Sequence, residues 1–490
     1  MNQAIDYTAI LPEMILAGTI VLVLMVDAFL APARKWMAMP IAFAGVVASL
    51  IATLTLIGED RSTFGGAFVV DEFALLFKVF FLSVALLVLM VSFRYFRDGH
   101  FYQGEFYFLV LTSFLGCLLM PSSRDLLMLF ISLELVSAPG FVIAAFRKSD
   151  PRSNEAGIKF FLFGVLSTAV MLYGMSLIYG LTGRLELHAI AQGLSGLTGA
   201  RETLADVAIV FAVIGFAFKV SAVPFQFWAP DTYEGAPVPV AGFLAVASAA
   251  AGFAGLLQLM FVAFVGQASF WTPIFAVLSV LTMTLGNLVA LRQRQTIRLL
   301  AYSGIAQSGY ILLPFALVSA NTSVNQTAFE AAVVYILIYA VMNIGAFAVT
   351  TAVAERRPSL QIEDFSGLAQ TAPLLAVAMT AFMVSLAGVP PTGGFWGKVL
   401  IFRAAIDFGG WIGPLLASIM VINSVISVGY YFLIPRAMIF EDPAEGETRV
   451  ATPALLTFVV GISLAAIGVI FIVPNLIFRL GELSSLAFGS

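Results

Sequence analysis

The sequence predicts an all-α polytopic membrane protein of about 14 transmembrane helices, with two inverted five-helix repeats and two discontinuous helices. Three observations predict it. Of 490 residues, 61% are hydrophobic and only 11% charged, whereas a soluble globular chain carries about 25% charged residues. Apolar runs of roughly 20 residues, enough to cross a hydrocarbon layer as helix, recur from end to end. Two of these runs hold a lysine beside helix-breaking prolines: Lys219 precedes Pro224, and Lys398 follows Pro390 and Pro391.

Taken in order, spans are expected at 8–29, 37–57, 72–93, 105–121, 124–146, 156–181, 204–228, 238–264, 271–291, 297–318, 328–352, 372–405, 411–436 and 453–473. The first has acids around its apolar run and no basic leader, so it reads as a membrane helix rather than a cleaved signal. Fourteen Lys and Arg, among them Arg34, Lys35, Arg147, Lys148, Arg292, Arg356, Arg357, Arg436 and Arg449, fall in loops on one side. Five fall on the other: Arg61, Arg124, Arg184, Arg201 and Arg479. The positive side is cytoplasmic, which puts both termini outside, in keeping with an even helix count.

Proline lacks an N–H and clashes with the carbonyl four residues back, so Pro224 is expected to free the Val220 carbonyl beside Lys219. In SLAGVPPTGGFWGKVLIF the paired prolines break the helix, and Gly393, Gly394 and Gly397 let backbone and water come close. Irregular backbone at bilayer depth is tolerated only where protein or water surrounds it. Two broken helices separated by four intact ones suggest units of five spans. A tandem repeat of an odd number of spans inserts upside down, an arrangement found in transporters. The boundaries are 1–104 for three N-terminal helices, 105–265 for the first repeat, 266–438 for the inverted second, and 439–490 for the C-terminal loop and last helix.

A charge at mid-membrane costs ~2.5 kcal/mol or more on insertion scales, so several in one chain point to a charge pathway. Glu134 is the acid nearest a helix centre and has Pro139 five residues on, the spacing of Lys219 to Pro224. It is either a proton carrier or a buried acid satisfied by Ser132 or Ser137. Lys219 lies about ten residues from either end of its span, beyond snorkelling reach, and Glu134 is its natural partner. Lys398 reads as a second pathway amine. Lys159 sits one turn inside its helix, where position alone supports snorkelling as well as function. Lys78, near Asp71 and Glu72, reads as an ordinary helix-entrance neighbour set, and Arg403 as a partner for Asp407. Glu13, Asp27, His100 and His188 carry no distinct signal. One cysteine, Cys117, and two histidines leave no disulfide framework and argue against an iron–sulfur, haem or zinc site in this chain. No basic block suggests nucleic acid.

An ordered series of segments now stands out: EFYFLVL at Glu105, DLLMLFISLEL at Asp125, EAGIKFFLFG at Glu155, FKVSAVPFQFWAPDTYEGAPVPV at Phe218, GNLVALRQRQTIRLLAYSGIAQSGY at Gly286, YAVMNIGAF at Tyr339 and SLAGVPPTGGFWGK at Ser385. Over roughly residues 105–435 this series resembles the N-type antiporter-like membrane subunits of proton-pumping NADH:quinone oxidoreductase, respiratory complex I. The resemblance implies a proton path whose matching residues are Glu134, Lys159, Lys219 and Lys398, which raises Lys159 above its positional reading. It implies NADH, flavin, iron–sulfur clusters and quinone in partner subunits and none in this chain. It also implies a bacterial inner (plasma) membrane location and membrane-subunit partners that include a second antiporter-like subunit. One departure is Ala249, which stands where such subunits commonly carry a lysine in the eighth helix. Water, Gln258 or Ser248 would then bridge Lys219 toward Lys398, or the chain has no complete path of its own. Two other readings are carried forward: a subunit of a multisubunit cation/proton antiporter, and a scaffold module within the pump.

Overall fold

In hydrocarbon every backbone N–H and C=O has to be paired within its own segment, and this chain does so with helices. The computed structural model describes residues 5–98, 103–319, 321–443 and 452–486; His100 and Arg449 lie outside them. The N-terminal unit comprises α1 (Leu11–Phe29), α2 (Ala38–Leu54), a hairpin of β1 (Arg61–Thr63) and β2 (Phe68–Val70), and α3 (Glu72–Asp98). The hairpin is antiparallel, with Arg61 opposite Val70 and Thr63 opposite Phe68. It was not among the expected elements, since three-residue strands leave no periodic trace.

There follow α4 (Gln103–Ser122), α5 (Leu126–Ala144), α6 (Pro151–Thr182), a short amphipathic α7 (Leu187–Leu194), α8 (Ala200–Lys219), α9 (Trp228–Gly235), α10 (Val238–Phe243) and α11 (Ala249–Gln258). A π turn over Leu244–Ser248 joins α10 to α11 and another, Leu259–Ala263, follows, so that Val238–Ala263 crosses as one rod. Next come α12 (Ala268–Ala290), α13 (Thr296–Leu312), α14 (Thr322–Ala354), α15 (Leu368–Thr371), α16 (Pro373–Ala387), α17 (Gly393–Phe408), α18 (Ile412–Tyr431), α19 (Leu433–Phe440), α20 (Ala454–Ile472) and α21 (Pro474–Leu486). Among the described residues twelve helices are long and apolar enough to cross a membrane. The α8–α9 and α16–α17 pairs, the two expected breaks, are not among those twelve.

The core runs along α14, which packs against α10, α16, α17 and α20. Of its apolar window 94% is buried, against 33% for α6, so α14 is a central post and α6 a peripheral helix. Small residues bring backbones together where hydrocarbon supplies no hydrophobic drive. A Cβ at Gly116 would come within 2.7 Å of the Val136 nitrogen, and one at Gly174 within 2.6 Å of the Ala212 nitrogen. These contacts seat α4 on α5 and α6 on α8, the frame that holds Glu134 and Lys219.

Candidate functional site

Helix α8 stops at Lys219, five residues ahead of Pro224 rather than being bent by it. Ser221 adopts a positive φ of 55°, and the Ala222 N–H closes the turn on the Ala217 carbonyl at 2.8 Å. The carbonyl that finds a side-chain donor is that of Phe218, which accepts from the Trp228 indole at 3.0 Å, and not that of Val220 as Pro224 alone would suggest. Farther on, the Val223 N–H is held by Thr282 Oγ1 at 3.0 Å. The unwound stretch is thus paired at several points, as irregular backbone at this depth requires.

Lys219, 2% exposed, donates to Ser137 Oγ at 2.9 Å and sits 5.9 Å from the Phe160 ring centroid. Glu134 instead accepts from Thr168 Oγ1 at 2.8 Å. This corrects the expected Glu134–Lys219 pair and also the reading of Glu134 as satisfied by Ser132 or Ser137. Residues three apart share a helix face, so Ser137 can meet the amine while Glu134, one turn away on α5, reaches α6. Helix α5 runs unbroken through Pro139, so the same five-residue spacing to proline accompanies a break in α8, which ends at Lys219, and none in α5.

At the end of the site nearer the basic loops, Lys159 pairs with Asp231 at 2.6 Å and with Glu155 at 2.7 Å. Arg298 on α13 reaches the other Asp231 oxygen at 2.9 Å and Glu234 at 2.7 Å. Lys159 therefore belongs to a five-member ionic chain and does not merely snorkel. Sequence reasoning missed Asp231, Glu234 and Arg298 as individual residues. The signal was present in DTYEGAPVP, where two acids follow the broken helix within one helical turn.

In the second half, α16 ends on Gly388 in the left-handed region, φ 82°, and α17 resumes at Gly393. The Gly394 N–H donates to Ser385 Oγ at 3.1 Å across the gap. Lys398, 6% exposed, donates to the Ala387 carbonyl freed by the break, at 2.8 Å, and lies 4.5 Å from the Tyr310 ring centroid. Around it runs a neutral network. Tyr335 donates to Gln307, whose amide donates to the Leu386 carbonyl and to Tyr431 Oη, both at 2.9 Å. Asn287 donates to Tyr310 Oη at 3.2 Å, and Tyr430 donates to Asn287 at 3.0 Å. Among the described residues no carboxylate pairs with Lys398.

Between the two amines stand α11 and α14. Ser248 Oγ, at the end of the π turn that leads into α11, and Asn343 Oδ1 of α14 are buried without a hydrogen-bond partner among the described residues, and such atoms are places for ordered water. Gln258 is no part of this bridge: its carbonyl accepts from Arg124 and its amide donates to the Met120 carbonyl at 2.8 Å. Lys78 needs a second correction. It is fully buried and pairs with Glu13 of α1 at 3.0 Å, beneath the Phe68 ring at 4.6 Å, rather than with Asp71 or Glu72. Arg403 does reach Asp407, at 3.3 Å. Among the described residues no His, Cys, Asp or Glu gather in a group of three or more suited to a metal ion.

Comparison with known proteins gives the chain its family. The family model described as "NADH:quinone oxidoreductase/Mrp antiporter, TM" matches residues 123–427. NADH-quinone oxidoreductase subunit N of Trichlorobacter lovleyi is 40% identical over 98% of this chain and 97% of that protein; the subunit N of Anoxybacillus flavithermus is 38% identical over 96% and 95%. A chain of respiratory complex I from Thermus thermophilus superposes with a TM-score of 0.78 at 32% identity, covering 96% of this chain and 98% of that one. The Mrp complex from Dietzia shares the fold at a TM-score of 0.83 and 20% identity, covering 99% of this chain and 98% of that one. Both family match and near full-length relatives lead to one conclusion: the chain belongs to the family of NADH:quinone oxidoreductase and Mrp antiporter membrane subunits, and its N-type members are the relatives it resembles along nearly its whole length.

Proposed function

We propose that this chain is a membrane subunit of a bacterial proton-pumping NADH:quinone oxidoreductase, taking part in proton translocation coupled to electron transfer in other subunits. NADH, flavin, iron–sulfur clusters and quinone are assigned to those partners, which include a second antiporter-like subunit. Counting each broken pair as one span gives fourteen in the inner (plasma) membrane, both termini periplasmic, with repeats over 105–265 and 266–438. Its part in catalysis is translocase work without redox chemistry of its own.

The observation that carries the reading is the burial of two amines, Lys219 and Lys398, at two helix breaks, each held, among the described residues, by a single neutral acceptor. A charge kept at such cost is retained for transfer. We assign Glu134, Lys159, Lys219 and Lys398 as the proton-carrying residues. Protons enter at the Lys159–Asp231–Arg298 chain, where three carboxylates face two bases, and pass to Lys219. At ~10 Å and an effective dielectric of ~20, two charges interact by ~1.7 kcal/mol. Redox events in distant subunits therefore act through neighbouring relays. Lys219→Ala in the assembled, reconstituted complex is expected to lower NADH-driven proton pumping about tenfold; unchanged coupling would sink the assignment. The scaffold reading draws support from Ala249 and from the neutral surroundings of Lys398. It predicts that Lys398→Ala leaves the proton-to-electron ratio intact while Lys219→Ala does the same.

A further inference from the structure

Arg124 enters the sequence as one more loop charge on the outer side, yet only 6% of it is exposed. It stands at the α4–α5 junction, and its backbone is fastened on both faces: its N–H donates to the Ala67 carbonyl at 2.8 Å and its carbonyl accepts from Leu187 at 3.0 Å. Its guanidinium bonds the Asp71 carboxylate on one side and the Gln258 carbonyl oxygen on the other, and donates to the Pro121 carbonyl at 2.8 Å and the Ser123 carbonyl at 3.2 Å. Above it opens a cavity of ≈ 590 Å³, where the acids Asp60, Asp71, Glu72 and Glu186 outnumber the cations Arg61 and Arg124. Below it the protein is closely packed: Met120 is fully buried, and Gly255, one turn before Gln258, is packed on Met120 and Phe216. Another turn inward, a Cβ at Gly252 would lie 3.0 Å from Lys219 Cγ. From Gln258 to Gly252 is six residues, ~9 Å of helix.

We propose that Arg124 is the outer plug of the first half, a guanidinium clamped between Asp71 and Gln258 that separates an open acidic vestibule from the Lys219 pocket. The proposal rests on the orientation and on the role of Lys219 given above. Its physics is steric and electrostatic together. The side chain fills the floor of the vestibule, and a fixed arginine charge in a narrow path repels protons and other cations. The carboxylates above gather cations at the mouth, while the plug keeps them from the amine. Asp71 immediately precedes α3, where it accepts from the Ala74 N–H, and Gln258 ends α11, so a shift of either helix against α4 would loosen the clamp. The three N-terminal helices would thereby take part in gating through Asp71 and the hairpin.

The test places a thiol immediately beneath the plug. In the assembled complex, Met120→Cys is made on a Cys117→Ser background, so that this chain carries one thiol. Its modification from the outer side of sealed vesicles is followed by mass spectrometry, using 2-trimethylammonium-ethyl and neutral 2-hydroxyethyl methanethiosulfonates. With Arg124 present the thiol reacts slowly with both. Arg124→Ala is expected to speed the cationic reagent at least tenfold more than the neutral one, and Arg124→Lys, which keeps the charge, to hold the cationic rate within about threefold of the parent. A general loosening of the bundle would raise both reagents alike and would overturn the proposal, as would no rise at all. Should Arg124→Ala fail to assemble, Asp71→Asn and Gln258→Leu each remove one jaw of the clamp. Each is expected to speed the neutral reagent severalfold while the retained guanidinium charge holds the cationic reagent behind it, and unchanged rates in both count against the plug. Proton pumping by Lys219→Ala is a separate readout: a normal pump in that variant refutes the role of Lys219 while leaving the thiol result to judge Arg124.

Discussion

Lys219 and Lys398 are both buried amines at interrupted helices, yet one is served by a side chain and the other by backbone. Lys219 is the last residue before its gap and gives its proton-bearing nitrogen to the Ser137 hydroxyl, with Glu134 one turn away on the same helix. Lys398 comes five residues into the helix after its gap and turns back to the Ala387 carbonyl, among tyrosines and amides and, among the described residues, with no acid paired to it. The first pocket can therefore be tuned by neighbours that move or change charge. The second is fixed by the fold of the break itself, and its amine answers to whatever reaches it across α14. Asymmetry of this kind suits a transfer from a controllable site to a passive one.

The sharpest way to break this comparison is at Ser137. Ser137→Ala leaves a buried ammonium without its hydroxyl acceptor, and stranding such a donor costs ~1–3 kcal/mol or more. Pumping by the assembled complex is expected to fall about tenfold, with Ser137→Thr restoring most of it. Glu134→Gln keeps an acceptor for Thr168 while removing the charge, so its expected loss is smaller, about threefold. If the glutamine variant proves the more damaging of the two, the carboxylate governs Lys219 after all and the direct pairing read from sequence is restored.

A smaller effect is expected in the second pocket, where no side-chain deletion can mimic Ser137→Ala. Gly388 sits at φ 82°, and an added Cβ would stand 2.6 Å from Lys398 Cδ and 3.1 Å from Cε. Gly388→Ala combines a left-handed alanine, ~1–2 kcal/mol, with displacement of the amine from the Ala387 carbonyl. The expected outcome is a drop of a few degrees in thermal unfolding of the purified complex and a two- to threefold loss of pumping. Loss of stability with pumping intact would show that the Lys398 position is not part of the route.

The breaks themselves were legible in the sequence because proline and glycine act locally: PP and GG next to Lys398 dictate an interruption wherever they fall. The spans were legible for the same kind of reason, since hydrocarbon thickness imposes a length. Partners were not. Glu134 and Ser137 lie three apart on one helix, and only the rotation of α5 against α8 decides which of them meets Lys219. Glu13 and Lys78 are separated by a whole helix and a hairpin, so their pairing at 3.0 Å leaves no trace in spacing. Arg124 looked like any outer-loop charge because burial is a property of the packed bundle. The 238–264 span was expected as a plain helix, whereas two π turns flank α11 and nothing in FLAVASAAAGFAGLL announces them.

The smallest expected effect comes from a partly exposed charge pair, which serves as a reference for both amine pockets. Asp6 accepts from Arg61 at 2.9 Å and from the N–H groups of Thr8 and Ala9, tying the chain before α1 to the hairpin. Its hydrogen bond with Arg61 holds the carboxyl below the usual aspartate range. A carboxyl with a depressed folded-state pKa contributes stability that is present above its unfolded value, about 3.9, and lost as pH falls through the lower folded value. Docking of the hairpin should thus weaken only below about pH 4, seen as faster amide exchange over residues 61–70, and Asp6→Asn should flatten that dependence. Raising salt should weaken this pair, because exposed charges are screened, while the Lys219–Ser137 contact, sealed from solvent, stays indifferent. Equal salt sensitivity at the two places would mean that water and ions already reach Lys219, and the contrast between a solvated pair and a guarded amine would fail at its root.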